Sequence, residues 1–239
     1  MSGAANIILG LAAGFVAGLV LGMALAFRKL NRTLIERQRE LAIARSEART
    51  DSLTKLSNRS SFDEQLRLCT ASCRRYGSPL SLVMIDLDSL KTVNDRYGHA
   101  AGDAALIHLA NIMRESSRES DFSARLGGDE FALLLPYTAL AGAKTLAERI
   151  RRGVESSPCP WPTRRVQDAN GSAAESPAEA IRLRVSAGIA EFHADGTPAE
   201  LVANADRGLY VAKGSGGNSV ATVDAKNQAG YLDNESSTR

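Results

Sequence analysis

The tetrad Gly127-Gly128-Asp129-Glu130 stands between two strand-like runs, Phe122–Arg125 and Phe131–Leu135, and limits the possible folds more than any other feature. Two glycines between strands mark a tight hairpin, and glycine also lets a bulky ligand approach the backbone. Leu80–Leu87 is a β-rich apolar run that ends in acids, Asp86 and Asp88, and reads as a central strand. Ala104–Glu115 has helical periodicity, Leu183–Phe192 reads as a further strand and Pro198–Lys213 as a helix. Strands and helices mixed without strict alternation predict an α+β sheet domain.

Acids at the end of a buried strand and on a hairpin are costly unless something neutralises them. A divalent metal is the natural partner, because carboxylates so spaced bind Mg²⁺, which in turn holds nucleotide phosphates. Any one of these acids alone could be a capping or turn residue. Asp86, Asp129 and Glu130 together on a glycine hairpin make that reading poor.

The N-terminal part differs. Ile7–Phe27 carries no charge, and at about 1.5 Å per residue it is long enough to cross a hydrocarbon core of about 30 Å. A cleaved signal peptide would need a basic segment ahead of a shorter apolar core, and no Lys or Arg precedes this run. A transmembrane helix over 7–27 is therefore expected, after a short external tail at 1–6. Arg28, Lys29 and Arg32 follow it, which puts the C-terminal side in the cytoplasm. Gly10, Gly14, Gly18 and Gly22 form a small-residue stripe of the kind that packs two membrane helices together. Residues 28–50 read as a charged helix. Leu30, Leu34 and Leu41 have coiled-coil offsets, but the seam breaks near Gln38, so a solvated linker helix and a short parallel coiled coil both remain open.

A net charge of +2 and 5% aromatic residues give no signature of nucleic-acid binding. Cys69, Cys73 and Cys159 form no metal-ligand pattern and are expected to be reduced structural thiols. His99, His108 and His193 show no ligand spacing either.

Five segments between Asp51 and Val220 resemble one family, the GGDEF domains of diguanylate cyclases. They are Asp51-Ser52-Leu53-Thr54-Lys55-Leu56-Ser57-Asn58-Arg59; Ile85-Asp86-Leu87-Asp88; the set Lys91, Asn94, Asp95, Gly98, His99, Gly102 and Asp103; Gly127 to Phe131, the family's signature unaltered; and Ala205-Asp206 with Leu209-Tyr210-Val211-Ala212-Lys213. The resemblance implies a catalytic domain over 51–220, with a mainly antiparallel sheet of about five strands surrounded by helices, as in nucleotidyl cyclases and polymerase palms. It implies condensation of two GTP into cyclic di-GMP across a homodimer; with the span expected at 7–27, the expected location is the bacterial inner (cytoplasmic) membrane. Asp86, Asp129 and the Leu87 carbonyl would ligate Mg²⁺ (or Mn²⁺), and Glu130 would bind a second metal or help deprotonate the attacking hydroxyl. Asn94 and Asp103 would read guanine; a carboxylate only accepts hydrogen bonds and so matches the guanine N–H donors. Gly127 and Gly128 would lie against the phosphates, with Lys213 and Lys91 as cations. Arg118 and Asp121 stand at the spacing of the family's inhibitory product site, with Arg149 as an added ligand.

The sequence departs from the pattern in four places. Gly217 stands where a basic residue is usual, and Ser89 and Leu90 replace aromatics. Ser156–Pro177 is a Pro/Ser/Ala-rich insertion expected to be a mobile loop, with Trp161 buried beneath it. Residues 221–239 are polar and expected to form a disordered tail. Two rivals stand beside the cyclase: a non-catalytic cyclic di-GMP receptor, and a cyclase of relaxed base choice.

Overall fold

The computed structural model describes residues 23, 27–29, 31–32, 35, 37, 49–161, 165–167, 173–175, 180–224 and 227–230. The chain divides into two units, Met1–Ala48 and Arg49–Arg239. In the first, the described positions, from Met23 to Arg37, are helical and exposed. Among the described residues no helix is long and apolar enough to cross a membrane. The expected span at 7–27 lies outside them except for Met23 and Phe27, as do Leu30, Leu34 and Leu41 of the expected seam.

The second unit runs α1 (Arg59–Tyr76), β1 (Leu80–Leu87), α2 (Leu90–Tyr97), α3 (His99–Ser116), β2 (Phe122–Gly127), β3 (Glu130–Pro136), α4 (Leu140–Ser156), β4 (Arg165–Gln167), β5 (Ala173–Glu175), β6 (Val185–Glu191), α5 (Pro198–Gly214), β7 (Val220–Asp224) and β8 (Asn227–Gly230). The main sheet has the order β2-β3-β1-β6-β7-β8. Its pairings are antiparallel except β6 with β7. A parallel pair needs a long crossover, and α5 supplies it.

Strand β1 is buried along its whole length, as its mostly apolar composition favours. Side chains alternate across a sheet, so β1 serves two cores. Val83, Ile85 and Leu87 join Val93, Ala101, Ala105 and the α4 residues in one layer. Leu80, Leu82 and Met84 join Phe62 and Leu66 of α1 and Ala205 and Leu209 of α5 in the other. Helix α1 buries Phe62, Leu66, Thr70 and Cys73 along a single stripe; Asn58 caps its start and Gly77, left-handed at φ 66°, ends it. Helix α5 starts with Pro198 behind a Thr197–Glu200 capping box. It crosses β6 in backbone contact: a Cβ added at Gly188 would lie 2.0 Å from the Leu209 nitrogen and 2.1 Å from the Ala205 oxygen. That approach fixes where the end of α5 arrives.

The sheet has six strands among the described residues, in line with the expected sheet of about five. Two expectations need correction. Residues 221–224 and 227–230, expected in the tail, belong to strands β7 and β8; Val220 and Ala221 are buried and pair with the edge of β6. Part of the insertion is a two-stranded antiparallel hairpin, β4 with β5, while Trp161 is partly buried against the larger core. Cys73 and Cys159 are buried and Cys69 partly so, all three free; burial pushes each thiol up.

Candidate active site

Register places the acids. Asp86 is the last polar residue of β1 and sits directly opposite Glu130 across the β1–β3 ladder. By alternation both face the α1–α5 layer. Asp86 is 5% exposed. Lys213, at the end of α5, reaches it with Nζ 2.7 Å from Oδ2. Burial pushes the Asp86 carboxyl up to about 6; the Lys213 ammonium opposes that rise, and the Asp129 and Asp88 carboxylates add to it. This is a desolvated acid among acids, and it draws a cation.

The hairpin is held from behind. Gly128 is left-handed at φ 50°, and a bulge separates Arg125 from Gly127. Space is open at both hairpin glycines: a Cβ at either would meet nothing within 4 Å. The Arg125 guanidinium donates to the Gly128 carbonyl from Nε (3.0 Å) and Nη2 (2.7 Å). Its Nη1 lies 3.1 Å from Asp51 Oδ1. Asp51 in turn accepts from the Thr54 amide and hydroxyl. Burial alone would raise the Asp51 carboxyl, but the bonds from Thr54 and Arg125 hold it below its usual range. Sequence reasoning missed Arg125. The available signal was a lone cation two residues ahead of a glycine pair.

A second group lies in the other layer. Asn94 on α2 has a buried Oδ1 with no hydrogen-bond partner. A Cβ on Gly102 of α3 would sit 1.9 Å from that oxygen, so glycine there makes room for the Asn94 amide. An orphaned buried acceptor costs about 1–3 kcal/mol and is what a site awaiting a ligand donor contains. Asp103 and Lys91 are exposed on the same two helices.

Asp88 does something other than its motif suggests. Its carboxylate accepts from Ser186 Oγ (2.8 Å) and from the Asn218 amide (2.7 Å). Gly217 is left-handed at φ 75°, and a Cβ there would meet that carboxylate at 3.0 Å. The usual basic residue is thus replaced where the backbone closes on Asp88.

Arg118, Asp121 and Arg149 come together. Asp121 Oδ2 accepts from the Arg118 amide at 2.8 Å. Arg149 on α4 donates to the Ser116 carbonyl, two residues before Arg118. Both arginine side chains are exposed.

Among the described residues no three His, Cys, Asp or Glu converge as a closed metal cage. Asp86, Asp129 and the Leu87 carbonyl nonetheless fit Mg²⁺, which keeps waters and takes one or two carboxylates together with substrate phosphates. The cation demand of Asp86, met here by Lys213, supports that fit.

A family model described as diguanylate cyclase, GGDEF domain, matches residues 48–219. The chain belongs to the GGDEF domain family. The GGDEF domain is 36% identical over 172 residues to diguanylate cyclase DgcP of Pseudomonas aeruginosa, covering 72% of this chain and 23% of that protein. It is 37% identical over 172 residues to response regulator PleD of Caulobacter vibrioides, covering 72% of this chain and 35% of that one. The chain thus spans well under half the length of these curated relatives. Among solved structures, the coiled coil and GGDEF domain of DgcB from Caulobacter crescentus, in complex with c-di-GMP, matches with a TM-score of 0.69 at 32% identity, over 82% of this chain and 98% of that one.

Proposed function

We propose that the protein is a membrane-anchored diguanylate cyclase that joins two GTP into cyclic di-GMP with release of two pyrophosphates. The observation that carries this reading is Asp86, buried at the end of β1 opposite Glu130 on the glycine hairpin and paired with Lys213. Family membership and the named activity of the relative DgcP support it.

In this reading each copy holds one GTP. The unpaired Asn94 oxygen and the Asp103 carboxylate accept from guanine N–H groups, a pattern adenine does not offer. Bound Mg²⁺, with Mn²⁺ as a substitute and two ions per half-site, supplies positive charge at the phosphates. Lys213 leaves Asp86 for the phosphates, exchanging one anionic partner for another. The open hairpin at Gly127 and Gly128 lets the phosphates reach backbone amides. Glu130 accepts the proton of the incoming 3′-hydroxyl, which bonds to the α-phosphorus of the other GTP as pyrophosphate leaves. Two such steps close the ring, and catalysis is mostly positioning and charge stabilisation.

The uncharged run at 7–27 and the basic residues after it support a single-pass anchor in the bacterial inner membrane, with the catalytic domain cytoplasmic. Its glycine stripe would raise the concentration of one half-site beside its twin. The test is incubation of the full chain with GTP and Mg²⁺ and identification of the product. Cyclic di-GMP is expected, with none after chelation of the metal. An intact, GTP-binding protein that makes none contradicts the reading.

The Arg118–Asp121–Arg149 cluster supports feedback by product. An arginine that grips a guanine edge through two hydrogen bonds contributes about 1–3 kcal/mol. Arg118→Ala is therefore expected to weaken cyclic di-GMP binding about ten- to a hundredfold and to keep progress curves linear in added product, at unchanged initial rate. Equal slowing of both proteins would mean ordinary competition at the active site.

A further inference from the structure

Asp206, Tyr210 and Lys213 lie at spacings of four and three on α5, so they share one helix face. Both ends of that stripe belong to the candidate active site. Lys213 pairs with Asp86 at 2.7 Å. Asp206 lies within electrostatic reach of Glu130 and of Arg59 at the start of α1. Tyr210, between them, is 80% exposed, more than Tyr76 at 69% or Tyr137 at 70%. A large ring thus stands bare in the middle of the candidate catalytic face, one turn from Lys213, which pairs with Asp86. Neither phosphate binding nor proton transfer within one copy makes use of it.

The base held by the same copy is poorly placed to cover it. The Asn94–Gly102 contact belongs to α2 and α3, whose Val93, Ala101 and Ala105 pack into the core on one side of the sheet. Ala205 and Leu209, on the buried face of the same helix, pack into the core on the other side. A guanine seated by Asn94 therefore begins in the layer opposite Tyr210, with its phosphates running across the strand ends toward Lys213. A nucleoside that arrives over Tyr210 comes from outside this copy. The cyclase reaction requires such a nucleoside, because the attacking 3′-hydroxyl belongs to the GTP of a second copy.

We propose that Tyr210 is a positioning residue that packs against the ribose and base of the GTP held by a second copy of this chain, and so sets how the two half-sites meet. The proposal rests on the diguanylate cyclase reading and extends it. Tyrosine has the chemistry for such a contact, since its ring face stacks on any base and its hydroxyl can meet ribose oxygens. The side chain stands exposed on the helix, so the contact removes it from water without repacking the domain.

The test compares full-length wild type, Tyr210→Ala and Tyr210→Phe. Turnover is measured against protein concentration, and binding of a non-reactive GTP analogue is measured at a dilution where light scattering shows single chains. Tyr210→Ala is expected to lower turnover about tenfold, the order of one lost base stack, with analogue affinity unchanged and thermal stability retained. Tyr210→Phe is expected to recover most of that loss. Analogue affinity that falls in step with turnover would show that Tyr210 serves its own copy's nucleotide and overturn the proposal. Unchanged turnover in Tyr210→Ala would also overturn it. Wild type that binds the analogue and makes no cyclic di-GMP removes the cyclase reading itself, and the proposal with it.

Discussion

Glu130→Ala is expected to lower cyclic di-GMP synthesis about 10²–10³-fold while the protein stays folded. Glu130 is exposed and contributes no core contact, so its loss costs little stability. Its position is what matters. The β1–β3 register sets it directly across from Asp86, and Asp206 feels its charge. In the proposed reaction, removing it would leave the 3′-hydroxyl without its proton acceptor and take a charge from the face proposed to hold the phosphates. The check is an initial-rate assay of pyrophosphate release together with a thermal melt. A rate within twofold of wild type, at an unchanged melt, would contradict the cyclase assignment.

Gly188→Ala is expected to destabilise the domain by about 3 kcal/mol or more, at or above the upper end of the usual cost of overpacking. The added methyl would lie 2.0 Å from one backbone atom of α5 and 2.1 Å from another. Backbone cannot rotate aside as a side chain can, so the helix must lift from β6. Lifting it opens the contact at Gly208 and withdraws Lys213 from Asp86. Against a typical total of 5–15 kcal/mol this is a large fraction. Urea unfolding followed by circular dichroism should show a much lower midpoint. A midpoint unchanged from wild type would mean that α5 is not tied to β6 by this approach.

The parts legible in the sequence were those written locally. Strand β1 is a mostly apolar run that ends in acids, and the hairpin glycines and the acids beside them are consecutive. Helix α5 announces itself with Thr197, Pro198 and Glu200 at its start. What could not be read depends on contacts between distant segments. The Lys213–Asp86 pair and the Arg125 clasp on Gly128 and Asp51 exist only once the layers have packed. Residues 221–224 and 227–230 read as tail because both runs are short and the Asn-Gln-Ala-Gly of β8 carries no alternation. It is the edge of β6 that organises them. Asp88 has no role legible from its place in the sequence, and only the packed fold shows that its oxygens hold Ser186 and the Asn218 turn.

The two-sided character of β1 bears on how such a chain can change over generations. Asp86 reaches the catalytic face because it shares parity with Leu82 and Met84, while Val83 and Ile85 fill the opposite core. Gaining or losing one residue within β1 would turn the carboxylate into the apolar interior and deliver a branched side chain to the reaction centre. Length variation is therefore closed to this strand and to β3 across from it. It is open in the segment after α4, where the chain leaves and rejoins the core through the Cys159–Ile181 bridge. The added hairpin of β4 and β5 lies between those two anchors. Substitution can tune the reaction centre, but growth has to happen elsewhere.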